Sequence, residues 1–113
     1  VHFEIEPNQY VVRVYGDDKD NYIASAQIRK YGDRGWMSSI VGKEFFFVLR
    51  DHFNEILEQV GVETLEGYVM DSMARLMRLS CRGRAKFEIT HYGMCAGRRM
   101  PWVVFSKLEG VSK

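Results

Sequence analysis

The chain has 113 residues, 46% of them hydrophobic and 27% charged, with a formal net charge of +1. That is enough for one modest core and one domain over residues 1–113. It is too balanced in charge for electrostatics alone to point to nucleic acid. No apolar run is long enough for a membrane span, and the N-terminus lacks a signal-peptide layout. The near-neutral total hides a dipole: residues 1–70 hold seven Lys/Arg against twelve Asp/Glu (net −5), and residues 71–113 hold nine against three (net +6).

His2 to Glu6 alternates Phe3 and Ile5 with Glu4 and Glu6, the pattern of a half-buried strand. Pro7-Asn8-Gln9 is a turn, and Tyr10 to Tyr15 is a second strand rich in β-branched and aromatic residues. Residues 16–21 are an acidic connection; without the glycine and distal glutamate of an EF-hand loop it reads as a solvated hairpin rather than a calcium site. Tyr22 to Tyr31 forms a third strand, with Ala24, Ala26 and Ile28 on one side and Ile23, Ser25 and Gln27 on the other. A hairpin at Gly32-Asp33-Arg34-Gly35 leads to a fourth strand, Trp36 to Val41.

Gly42 ends that strand and a helix is expected from Lys43 or Glu44 to Val60, because Phe45, Leu49, Phe53, Ile56, Leu57 and Val60 fall on one face. Gly61 is its stop. Val62 to Met70 reads as a strand entered directly from the helix, hence parallel to the fourth strand through a right-handed crossover. Asp71 or Ser72 is placed to cap a helix over Met73 to Cys81. Lys86 to Tyr92 alternates as a strand, residues 93–99 read as a loop, and Met100 to Phe105 is a final strand whose Pro101 points to a sheet edge. Residues 106–113 read as a tail. The two cysteines, Cys81 and Cys95, have neither CxxC nor His/Cys metal spacing, so no metal site is indicated and both are expected as reduced thiols of a cytoplasmic protein.

The resulting fold class is α/β with a mixed sheet, in the order β-β-β-β-α-β-α-β-β. Where strand passes into helix at Gly42, free N–H groups and the helix dipole converge, the usual seat of an anionic ligand in α/β proteins. That order, with Val62 to Leu76 as its best local match, resembles the GNAT superfamily of acyl-CoA N-acyltransferases. Asp71 to Ala74 matches the family's Asn-x-x-Ala helix opening, with Asp in place of Asn.

The resemblance implies a splayed fourth and fifth strand, a pantetheine arm along Ser39, Ile40 and Val41, and a pyrophosphate on the loop Val41-Gly42-Lys43-Glu44-Phe45. It implies acetyl-CoA or another acyl-CoA as donor and an amine as acceptor. This chain departs from the family at several places. Gly42 is the loop's single glycine. Glu44 and Phe45-Phe46-Phe47 stand where small residues are usual, Leu76-Met77-Arg78-Leu79 carries no Tyr acid, and only Pro7-Asn8-Gln9 replaces the two helices that shape the acceptor site. Tyr68 and His91 are the candidates to assist proton transfer.

The alternative is a non-catalytic GNAT-like module that binds a protein partner through the hairpin carrying Met94, Arg98, Arg99 and Trp102. A third reading, nucleic-acid binding through Arg75, Arg78, Arg82, Arg84, Lys86, Arg98 and Arg99, has no established motif behind it.

Overall fold

The structure is a computed structural model that describes residues 2–108. Its elements are β1 (His2–Glu6), β2 (Val11–Tyr15), β3 (Tyr22–Tyr31), β4 (Arg34–Val41), α1 (Glu44–Asp51), α2 (Phe53–Val60), β5 (Thr64–Tyr68), α3 (Asp71–Ser80), β6 (Lys86–Cys95) and β7 (Arg98–Ser106). The strands form one seven-stranded sheet in the order β1-β2-β3-β4-β5-β7-β6. Every neighbouring pair is antiparallel except β4–β5, which is parallel as the direct helix-to-strand passage requires.

Period-two alternation decides which face is covered. Val12 and Val14 on β2, with Ala24, Ala26 and Ile28 on β3, are all at most 1% exposed and meet Phe45, Leu49, Ile56 and Leu57 of the helices. The small alanines let α1 approach the sheet closely. The ring of Phe53 on α2 packs on Phe105, which also meets Phe87, and the Arg78 guanidinium of α3 lies over Phe87. All three helices therefore cover the same face. The opposite face carries Arg29, Tyr31, Trp36, Ser38, Glu66, Tyr68, Trp102 and His91 and has no helix over it among the described residues.

Several boundaries differ from the sequence reading. The expected single helix is two: it breaks at His52, whose backbone turns to φ −129° and ψ 31°, although Ile56 N–H still donates to His52 O at 3.0 Å. The break coincides with two outside contacts. The His52 ring packs on Phe3, with centroids 5.0 Å apart, and Asp51 accepts from Arg84 Nη1 at 2.7 Å. The apolar stripe stays in phase across the break, so periodicity does not register it.

Neither Asp71 nor Ser72 caps α3. Asp71 is already helical, and the extended Met70 precedes it without a side-chain cap. The loop expected over 93–99 is mostly strand, because β6 and β7 stay paired out to Cys95 opposite Arg98, with Ala96 (φ 52°) and Gly97 (φ 78°) making a two-residue turn.

Pro101 is not at an edge either: β7 lies between β5 and β6, and Pro101 is buried. Its carbonyl accepts from Val69 N–H at 3.2 Å on the β5 side, just past the last ladder pair, Tyr68 opposite Trp102. Pro101 has no N–H to return to Val69 on that side, so the sheet lacks one bond just past the end of β5. Of the expected tail, Ser106 closes β7 and residues 109–113 lie outside the described residues.

Candidate functional site

The parallel pair β4–β5 is joined over only three positions, Arg34–Thr64, Gly35–Leu65 and Trp36–Glu66. Beyond Trp36 the strands diverge, and the gap opens into a cleft of about 970 Å³. Phe46, Val69 and Met73 line it from the helix side and Arg29, Tyr31, Trp36 and Trp102 from the bare side, so it passes through the sheet. A backbone edge that leaves its partner strand keeps its N–H and C=O groups free to bond something else. Here that edge belongs to the second half of β4.

A bulge shapes that half. Gln27 pairs with Ser38 and Ser25 with Val41, so three steps on β4 answer two on β3, and Ser39 takes a left-handed φ of 52°. Of the five residues expected to hold the donor, Ser39, Ile40, Gly42 and Lys43 line the cleft, and Val41 directs its side chain to solvent at 61% exposure. Gly42 turns the chain at φ +85°, and its carbonyl accepts from Phe45 N–H as α1 begins. Phe46 N–H is taken in the same way by Lys43 O at 3.0 Å, so the N–H groups of Gly42, Lys43 and Glu44 are the ones left without a backbone acceptor among the described residues at the positive end of the dipole. Phe45 and Phe46 do not crowd this turn: both are buried at 5% exposure or less, ring against ring at 5.4 Å, and Phe46 floors the cleft.

On the bare side, Tyr68 at the end of β5 lines the cleft, and its hydroxyl lies 3.5 Å from His91 Nε2 on β6. Thr90 Oγ1 lies 2.9 Å from His91 Nδ1, which can donate to it, leaving Nε2 as acceptor for the Tyr68 O–H. Trp102 stands between: it meets Tyr68 edge-on at 4.9 Å and stacks on His91 at 5.8 Å.

Its indole Nε1 donates to Glu66 Oε1 at 3.2 Å, and Glu66 Oε2 accepts from Arg34 Nε at 2.7 Å and Thr64 Oγ1 at 2.8 Å. Glu66 is 2% exposed, the one buried charged residue among those described. Burial alone would raise its carboxyl, but the hydrogen bonds from Thr64, Arg34 and Trp102, with the Arg34 charge, hold it below the usual carboxylate range.

Gly93 on β6, opposite Met100, leaves room for the Tyr68 ring. A Cβ there would fall on the Tyr68 hydroxyl and within 2.9 Å of its ring. Gly93→Ala is expected to swing Tyr68 off His91 and cost about 1 kcal/mol of stability. Loss of the Tyr68–His91 cross-peak in a nuclear Overhauser spectrum checks it.

The hairpin contact surface expected from sequence is divided: Met94 pairs with Arg99 on one face, where the Arg99 guanidinium lies over Tyr92 at 4.4 Å, and Trp102 points to the other. Of the basic C-terminal side chains, Arg84 is paired with Asp51 and Arg78 lies over Phe87. Cys81 is buried, Cys95 borders the cleft, and both are free thiols. No helix of the described residues is long and apolar enough to cross a membrane.

The sequence matches no protein-family model and no curated protein. The structure, by contrast, is similar to solved acetyltransferases. One is an acetyltransferase from Bacillus subtilis in complex with CoA (TM-score 0.57, 14% identity, covering 88% of this chain and 78% of that one). Another is a ribosomal-protein-alanine N-acetyltransferase from Escherichia coli (TM-score 0.54, 17% identity, covering 96% of this chain and 77% of that one). The chain has the GNAT fold. In this GNAT-fold chain the Pro7-Asn8-Gln9 turn stands where helices usually join the first two strands, closed by Tyr10 N–H donating to Glu6 O at 2.7 Å.

Proposed function

We propose that the protein is an acyl-CoA-dependent N-acyltransferase acting in the cytoplasm. The observation that carries this reading is the parting of β4 from β5 beside a left-handed Gly42 that opens α1. The free edge of β4 over Ser39, Ile40 and Val41 would bond the pantetheine amides as a neighbouring strand would. The N–H groups of Gly42, Lys43 and Glu44, with the Lys43 ammonium offsetting the Glu44 carboxylate, would hold the pyrophosphate. Bound there, acetyl-CoA or another acyl-CoA supplies a thioester carbonyl open to direct attack by an amine.

The chain's own contribution is positional and protonic. Phe46, Val69 and Met73 keep the helix side of the passage apolar and shed water from it. Tyr68 stands where the passage meets the bare face. With His91 Nε2 accepting its proton, the Tyr68 oxygen can take a proton from the attacking amine and pass one to the departing sulfur.

Calorimetric titration with acetyl-CoA tests the reading: micromolar affinity supports it, and no binding at millimolar ligand overturns it. Tyr68→Phe is expected to lower thiol release from acetyl-CoA about 100-fold and leave acetyl-CoA affinity within twofold, since general acid–base assistance is typically worth that much. An unchanged rate would remove Tyr68 from proton transfer. Binding without turnover over a broad amine panel would leave the non-catalytic module, the reading that the bare sheet face favours.

A further inference from the structure

We propose that the bare side of the passage is a binding site for a planar aromatic molecule carrying an anionic group, and that the acceptor belongs to this class. Calling the ligand an acceptor rests on the acyltransferase reading; the site itself does not.

The site is built on a four-residue square on β3 and β4. Arg29 is the cross-strand partner of Trp36, and Tyr31 is the partner of Arg34. Alternation puts all four on the helix-free face, so two guanidiniums and two rings occupy the corners, with Cβ atoms about 5 Å apart across the strands. The two rings touch, centroids 4.6 Å apart and planes at 49°, and they stay open to solvent at 48% exposure for Tyr31 and 41% for Trp36. Trp36 also meets Trp102 edge-on at 5.4 Å, so the ring surface continues toward Tyr68.

The charges match such a ligand. Arg29 lines the cleft and takes part in none of the ion pairs among the described residues. Arg34 gives its Nε to Glu66, which fixes the guanidinium in place and leaves its outer nitrogens, on a side chain 59% exposed, free to donate. No Asp or Glu lines the cleft among the described residues. A cationic amine with no other charge would find aromatic faces there but no carboxylate to pair with. A planar anion finds a ring to stack on and an unpaired guanidinium beside it, the arrangement for which arginine is suited. The square also lies on the opposite side of the sheet from α1, so the phosphate end of the donor does not need it.

The test uses matched pairs that differ in the anion and share no fragment with the donor, phenyl phosphate with phenol and tryptophan with tryptamine, titrated into the full chain by ligand-observed NMR. The anionic member of at least one pair is expected to bind tenfold or more tightly than its partner, and the tighter pair tells a phosphate from a carboxylate ligand. Arg29→Gln is expected to erase that difference. Trp36→Ala is expected to weaken both members about tenfold, and neither change should move acetyl-CoA affinity beyond twofold.

Equal affinity within both pairs, no binding of any of the four, or an Arg29→Gln variant that keeps the preference would overturn the proposal. So would a loss of acetyl-CoA affinity as large as that of the probes. If acetyl-CoA fails to bind while the pairs behave as expected, the acyltransferase reading falls and the planar-anion site stands.

Discussion

Gly42→Val is expected to lower the melting temperature by about 10–20 °C and to abolish acetyl-CoA binding at temperatures where the variant is still folded. At φ +85° a residue with a Cβ is strained, and a β-branched one most of all, by roughly 1–2 kcal/mol. Space is lacking as well. A Cβ on Gly42 would lie 2.7 Å from both Ala24 Cβ and the Ile23 carbonyl, and 3.0 Å from Ala24 Cα. Those are backbone and near-backbone atoms of β3, which cannot swing aside as a long side chain can, so overpacking adds roughly 1–3 kcal/mol.

A loss of about 3 kcal/mol moves the midpoint of a domain of this size by the amount stated. The same displacement is expected to pull the start of α1 off the end of β4 and to disperse the N–H groups of Gly42, Lys43 and Glu44. Thermal denaturation followed by circular dichroism, with calorimetry at 10 °C, separates the two effects. A folded variant that binds acetyl-CoA as the parent does would show that this turn is not the donor's anchor.

What could be read from the chain follows from how local the information is. The stripe of Phe45, Leu49, Phe53, Ile56, Leu57 and Val60 is fully buried, because a 3.6-residue period needs only neighbouring residues to declare it. Likewise Val60 runs through Gly61 into the strand that holds Thr64, leaving no room for a reversal, so the parallel pairing with β4 was legible. The choice of Ser39 to Lys43 came from resemblance to a family, and the structure places four of those five along the cleft.

Glu66 was invisible for the opposite reason. In Thr64-Leu65-Glu66-Gly67-Tyr68 it reads as a solvent-facing residue of an alternating strand, and two of its three donors arrive from 32 and 36 residues away. Gly93 misled in the same way. Beside Tyr92 and Met94 it looks like the start of a loop, whereas its smallness serves Tyr68 on another strand. The helix break at His52 likewise coincides with a partner distant in sequence, Phe3.

Replacing Glu66 is expected to give the second-largest effect and to change the shape of the pH–stability curve. Its folded carboxyl lies below the ordinary value, so the unfolded chain binds the proton more readily. The stability it supplies is then fully present above the unfolded value of about 4.3 and is lost as pH falls through the folded one. Glu66→Gln should flatten the curve below about pH 4.5 and lower stability at pH 7. Hydrogen bonds to a charged group are worth about 1.5–3 kcal/mol each, but Arg34 is 59% exposed and can return to water, so its share is small.

The Trp102 N–H and the Thr64 hydroxyl have less freedom, and a glutamine turns an N–H₂ group toward donors that need an acceptor. A loss of about 2–3 kcal/mol is expected for Gln and somewhat more for Ala, which adds a cavity. Because Trp102 is oriented by this carboxylate and touches Tyr68, Trp36 and His91, near-ultraviolet circular dichroism should change together with stability. Denaturant midpoints measured from pH 3 to 8 decide the matter. Parallel curves for parent and Gln variant would mean that Glu66 carries no ionised hydrogen-bond network, and the rigid support inferred for Arg34 beside Trp36 would go with it.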